Sequence, residues 1–115
     1  MGSKGERMIE QQWKFLLDIK ELLIEIEQRG FTATGGELWR TPEQQAIYFE
    51  KGLSKTKNSM HLKRLALDLN FFKDGKLVND VKTLKPIGEY WEGLDPINRW
   101  GGSWGWDSSH FERHI

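Results

Sequence analysis

Apolar side chains return every three or four positions between Met8 and Gln28. Ile9, Trp13, Leu16, Leu17, Leu23 and Ile24 share one helical face, Ile19, Leu22 and Ile26 broaden it, and Glu, Gln and Lys fill the remainder. This spacing predicts an amphipathic helix with one buried face, ended by Gly30. "FTATGGELWRT" follows, a β-branched and aromatic run broken at Gly35-Gly36, and it reads as two short extended pieces in a hairpin. "TPEQQAIYFEKG" carries helix start and stop signals: Thr41 to cap, Pro42 at the first position, Gln44 at the reciprocal capping position and Gly52 to end it. Arg40 therefore stands at the mouth of that helix.

The segment "SMHLKRLALDLNFF", Ser59 to Phe72, reads as a strand with a carboxylate inside it. Under strand alternation, Leu65, Leu67, Leu69 and Phe71 face one way and Ala66, Asp68 and Asn70 the other. A buried carboxylate is costly unless it is paired or coordinates something. Asp68 is thus expected to point away from the leucine face into a polar cleft. "KDGK" (Lys73 to Lys76) predicts a turn. "TLKPIGEYWEGLDP" predicts a helix interrupted or started near Pro86, and the Gly- and Trp-rich tail a short strand at His110 to Glu112.

The chain of 115 residues has room for one core, with no repeat or low-complexity linker to divide it. Its 17 basic and 17 acidic residues cancel, which argues against a nucleic-acid binder, although "KGLSKTKNSMHLKR" (Lys51 to Arg64) is locally basic. The absence of cysteine excludes disulfides and thiolate metal sites. No run approaches the roughly 20 apolar residues of a membrane span, and the N-terminus has no apolar signal core. The expectation is a monomer made in the cytoplasm.

Three histidines are present, His61, His110 and His114. Two imidazoles and a carboxylate suit zinc and leave a fourth position for a water, whose pKa the metal lowers to about 7. His61, Asp68 and His110 could form such a set, and Asp107, three residues before His110, could then move the proton. Plainer readings exist for each residue. Asp68 could pair with Arg64 or Lys63, Asp107 could cap the Ser108-Ser109 turn, and Arg40 could pair with Glu37 or Glu43. "HFERH" offers another arrangement, in which His110 and His114 share a helical face and bind metal with Glu112. Of the six tryptophans, Trp91, Trp100, Trp104 and Trp106 could line a saccharide or peptide groove or anchor the core and loops.

"SMHLKRLALD" resembles the S-x-H-x-x-G-x-A-x-D signature of the zinc peptidases that include D-alanyl-D-alanine carboxypeptidases and phage L-alanyl-D-glutamate endopeptidases. Ser59, His61, Ala66 and Asp68 stand at its positions. "WDSSHFE" resembles the second motif and "WRTPEQQ" a third, so the three together extend from Trp39 to Glu112. The resemblance implies a single α+β peptidase domain over residues 1–115, with helices on one face of a small, mainly antiparallel sheet. One zinc would lie between the central and C-terminal strands. His61, Asp68 and His110 would bind it, Asp107 would be the catalytic acid and base, and Arg40 would bind the substrate carbonyl or a carboxylate. Gln45, Ser59, Arg64 and Trp106 become candidate substrate-side residues.

Two departures from the pattern stand out. Arg64 occupies the signature glycine, and the acidic residue of the second motif is Asp107, where carboxypeptidases often have glutamate. Aspartate there is closer to the phage endopeptidases. The implied function is a zinc endopeptidase of the peptidoglycan stem peptide, as in a phage or prophage endolysin. It would reach the wall through a separate membrane-permeabilising protein. The alternatives are a D-alanyl-D-alanine carboxypeptidase and a non-catalytic, zinc-stabilised wall-binding module.

Overall fold

A computed structural model describes residues 4–56 and 58–115; Lys57, within the basic run, lies outside it. The helices are α1 (Lys4–Gln28), α2 (Pro42–Glu50) and α3 (Val81–Leu94). The strands are β1 (Thr32–Gly35), β2 (Ala66–Lys73), β3 (Lys76–Val78), β4 (Asn98–Trp100) and β5 (His110–Arg113). All strand pairings are antiparallel. β2 is central: β1 runs along one edge, and β5 and β3 share the other, with β4 outside β5.

The long N-terminal helix forms, but of its predicted apolar face only the broadening flank of Ile19, Leu22 and Ile26 turns inward, joined by Phe15. Phe15, Ile19, Leu22 and Ile26 are buried, whereas Ile9, Trp13, Leu16, Leu23 and Ile24 are exposed. The buried set follows the i, i+4, i+7, i+11 spacing of a stripe aimed at a single layer. It meets aromatic rings of α3 and the sheet. Phe15 packs edge-on to Trp91 at 5.6 Å, Trp91 on Phe111 at 6.0 Å, and Phe111 on Phe71 at 5.9 Å. Large rings that interlock in this way favour burying Phe15 over the thinner Leu16 stripe.

Gly35-Gly36 makes no hairpin. β1 pairs directly with β2, from Thr32 opposite Phe72 to Gly35 opposite Leu69, and the chain continues beside Asp68 through Gly36 N–H to Asp68 O at 2.7 Å and Asp68 N–H to Glu37 O at 3.1 Å. The hairpin forms instead at Asp74-Gly75, where both residues have positive φ, as the tightest hairpin turns require. α2 starts as its sequence predicts, with Thr41 accepting from Gln44 N–H at 3.0 Å and Gly52 in the left-handed region beyond its end. α3 begins five residues before Pro86, capped by Asp80, which accepts from Thr83 N–H at 2.9 Å. Pro86 sits on its exposed side, where the missing N–H costs one bond near the helix start.

Strand alternation divides the sheet into two chemically different faces. Leu65, Leu69, Phe71, Trp100 and Phe111 face the layer of α1 and α3 and close the core. α2 contributes no apolar side chain to this core; its buried residue is Gln45. Register places Asp68 opposite His110 and Ala66 opposite Glu112, so these four residues share the other face. No helix among the described residues is long and apolar enough to cross a membrane.

Candidate metal centre

His61 reaches the polar face from a 3-10 turn, Met60–Lys63, immediately before β2. Ser59 caps that turn by accepting from His61 N–H at 3.2 Å. The turn ends at Arg64 in the left-handed conformation (φ 57°, ψ 37°), and this reversal launches β2 while leaving His61 over Asp68. An αL backbone explains why the related signature carries glycine at this position. Arg64 itself is exposed, its guanidinium stacked 4.8 Å over the Trp39 ring, and it does not line the cavity.

Asp68 Oδ1 lies 3.5 Å from His61 Nε2 and 3.3 Å from His110 Nδ1. The ligand atoms of the three residues lie within 4.8 Å of one another, and they are the one such grouping among the described residues. Zinc–ligand bonds of about 2.0–2.1 Å at tetrahedral angles separate neighbouring ligand atoms by about 3.3 Å. Both distances to Asp68 fit that edge. Each imidazole is also held from behind. His61 Nδ1 is 3.1 Å from the Leu38 carbonyl, and His110 Nε2 is 2.7 Å from Glu112 Oε1. Acceptors behind both rings leave the other nitrogen of each turned toward Asp68.

The electrostatics follow from this packing. Burial alone would raise the Asp68 pKa, but hydrogen bonds and charge from His110 and His61 hold it well below the usual carboxylate range. Burial opposes charge on His110, yet Asp68 and Glu112 outweigh it and raise that pKa to about 9. Asp107 moves the other way from Asp68. Its carboxyl is pushed above the ordinary value chiefly by burial, with Asp68 adding like-charge repulsion.

These groups line a cavity of about 500 Å³ that also presents Arg40, Ser59, Trp104 and Trp106. Arg40 is fixed by an ion pair from Nε to Glu37, by Nη1 donating to Gln45 Oε1 at 2.7 Å, and by stacking 4.7 Å over Tyr48. The Glu37 pairing offered as the plainer reading is therefore present, and Arg40 also lines the cavity. Gln45 is 1% exposed, and its amide also donates to Ser54 and the Thr56 carbonyl. It sits behind Arg40 and not on the cavity wall. Asp107 accepts from Ser109 Oγ at 3.3 Å, so the turn contact foreseen for it coexists with a place in the cavity.

Asp68 makes no pair with Arg64 or Lys63. "HFERH" is strand from His110 to Arg113, not helix, so His110 and His114 do not form an i, i+4 helical pair. Three contributors carried little sequence signal. The Leu38 carbonyl is backbone. Gly101 allows the Asp107 loop to close on it, since a methyl there would collide with the Asp107 carbonyl and press on Cβ of Asp107 and His110. Glu112 could have been found from strand period, two residues beyond His110 on the same face.

Comparison with known proteins adds family and fold. A family model described as D-alanyl-D-alanine carboxypeptidase matches residues 53–113, just over half the chain. No curated protein sequence matches. Among solved structures, the chain is similar to the crystal structure of Serratia marcescens L-Ala D-Glu endopeptidase ChiX, with a TM-score of 0.59 and 24% identity. The match covers 70% of this chain and 65% of that one, and at this identity it speaks for the fold. The family model spans both halves of the cluster, the His61 turn with β2 and the Asp107 loop with β5, and on that match the chain belongs to the D-alanyl-D-alanine carboxypeptidase family of peptidases.

Proposed function

We propose that the protein is a zinc-dependent peptidase of the peptidoglycan stem peptide, with residues 1–115 forming its peptidase domain and the L-alanyl-D-glutamate bond as its target. The observation that carries this reading is the convergence of His61, Asp68 and His110 in a cavity that also presents Arg40 and Asp107. Zinc held by the three ligands would supply Lewis acidity toward the scissile carbonyl and an acidified water.

The chain's own residues perform the remaining tasks. Asp107 takes a proton from the attacking water as its oxygen bonds to the carbonyl carbon. It returns that proton to the nitrogen as the C–N bond breaks, so the leaving amine departs neutral or protonated. A carboxyl pKa raised by burial suits a group that must both accept and donate near neutral pH. Arg40, clamped by Glu37, Gln45 and Tyr48, presents a planar cation to the developing oxyanion or to a substrate carboxylate without needing to reorganise. Ser59 shapes the wall beside His61, and Trp106 and Trp104 form an exposed aromatic side of the cleft, with Lys55 4.7 Å over Trp106.

The endopeptidase reading is supported by aspartate at position 107 and by the fold shared with ChiX. A D-alanyl-D-alanine carboxypeptidase is the second reading, favoured by the description of the matching family model. Digestion of purified peptidoglycan with the zinc-loaded protein, followed by mass spectrometry, separates them. An endopeptidase of this specificity creates new amino-terminal D-glutamate, and a carboxypeptidase releases free D-alanine. A module that binds wall fragments without releasing either would overturn both.

A further inference from the structure

We infer that Glu112 is a positioning residue that fixes the His110 ring with Nδ1, and not Nε2, turned toward Asp68. The inference rests on the metal-site reading and adds to it the residue that orients the His110 ring. Strand alternation in β5 places His110 and Glu112 on one face, two positions apart. The Glu112 side chain is buried, with Oε1 2.7 Å from His110 Nε2 and Oε2 2.7 Å from His114 Nδ1. An ionised carboxylate only accepts, so His110 Nε2 donates to Glu112, and Nδ1 is the nitrogen left to a metal that displaces its proton. That atom is the one 3.3 Å from Asp68 Oδ1.

The two histidines thus use opposite nitrogens. His61 is held through Nδ1 by a neutral backbone carbonyl and offers Nε2. His110 is held through Nε2 by a charged side chain and offers Nδ1. A carboxylate behind an imidazole also raises its basicity as a ligand, which a carbonyl does less. His114, on the exposed side, contacts the second Glu112 oxygen at 2.7 Å.

The test uses the whole chain with 15N-labelled histidine, loaded with 113Cd²⁺. In the wild type, cadmium–nitrogen coupling should appear at His110 Nδ1 and His61 Nε2, with a proton on His110 Nε2. Glu112→Ala should lower cadmium affinity about 10- to 100-fold and lose the single-nitrogen signature at His110. Glu112→Gln, which keeps a carbonyl acceptor in the same volume, should retain Nδ1 attachment with a smaller loss. It also keeps the test decisive if the alanine variant does not fold. Coupling at His110 Nε2 in the wild type, or unchanged affinity and signature in both variants, would overturn the positioning role alone. Failure of the wild type to bind cadmium would overturn the metal-site reading with it.

Discussion

Asp68 and His110 are directly opposed cross-strand partners of β2 and β5, and their side chains meet on the sheet face opposite the one packed by α1 and α3. A strand that buries leucines on one side presents its carboxylate on the other, where it meets two histidines. Register does the rest. Sliding β5 by one residue would replace His110 with a side chain from the core face.

Asp107→Asn separates chemistry from assembly. The side chain is not among the three grouped ligands, and its amide isostere preserves shape while removing proton transfer. The variant should bind zinc as the wild type does and lose about 10²- to 10⁴-fold in kcat. Parallel zinc titration and peptidoglycan turnover check this, and normal turnover would contradict the assigned role.

Arg40 is held in a planar clamp, so charge alone should not replace it. Arg40→Lys keeps the cation but loses the shared geometry with Glu37, Gln45 and Tyr48. We expect kcat/KM to fall by about 10²-fold with zinc affinity intact. Steady-state kinetics beside metal titration reads both quantities.

Arg64 should matter to stability and not to the reaction. Its left-handed backbone costs about 1 kcal/mol in a non-glycine residue, and its stacking on Trp39 returns about 0.5–1 kcal/mol. Arg64→Ala loses the stacking and keeps the strain, whereas Arg64→Gly loses both. Glycine should therefore be more stable than alanine by about 1 kcal/mol in denaturant unfolding, with turnover unchanged in each.

The ion pair of Asp95 with Arg113, 2.8 Å, ties the end of α3 to β5 and gives stability a pH dependence. Burial pushes the Asp95 pKa up, but the Arg113 guanidinium and the Ile97 N–H outweigh it, so the folded value lies below the ordinary 3.8. The contribution is complete above the unfolded pKa and is lost as pH falls through the lower folded one. Asp95→Asn should cost about 1 kcal/mol at neutral pH. Thermal unfolding should show that difference shrinking as pH falls below the ordinary carboxylate range.

The sequence reveals the site more fully than the packing around it. His61, Asp68, Asp107 and His110 are legible because metal chemistry restricts which residue types can serve, and alternation alone turns Asp68 away from the leucines. Thr41 and Gly52 mark α2 for equally local reasons. The face of α1 is not legible. Two apolar stripes compete along that helix, and the choice between them depends on Trp91 and Phe111, which are distant in sequence. The same holds for β3 and β4, three residues each, which exist only through their partners. Gln45 and Arg64 illustrate the limit of carrying motif positions into roles. The motif places them beside the site, but burial sets one behind Arg40 and αL geometry turns the other outward onto Trp39.

The most direct test is metal stoichiometry by elemental analysis of the purified chain, beside a His61→Ala, His110→Ala double variant. About one zinc per wild-type chain, absent from the variant, is the result expected of three converging ligands. A wild-type protein that takes up no zinc even from excess metal would contradict the central claim and leave Asp68 as a carboxylate paired between two structural histidines.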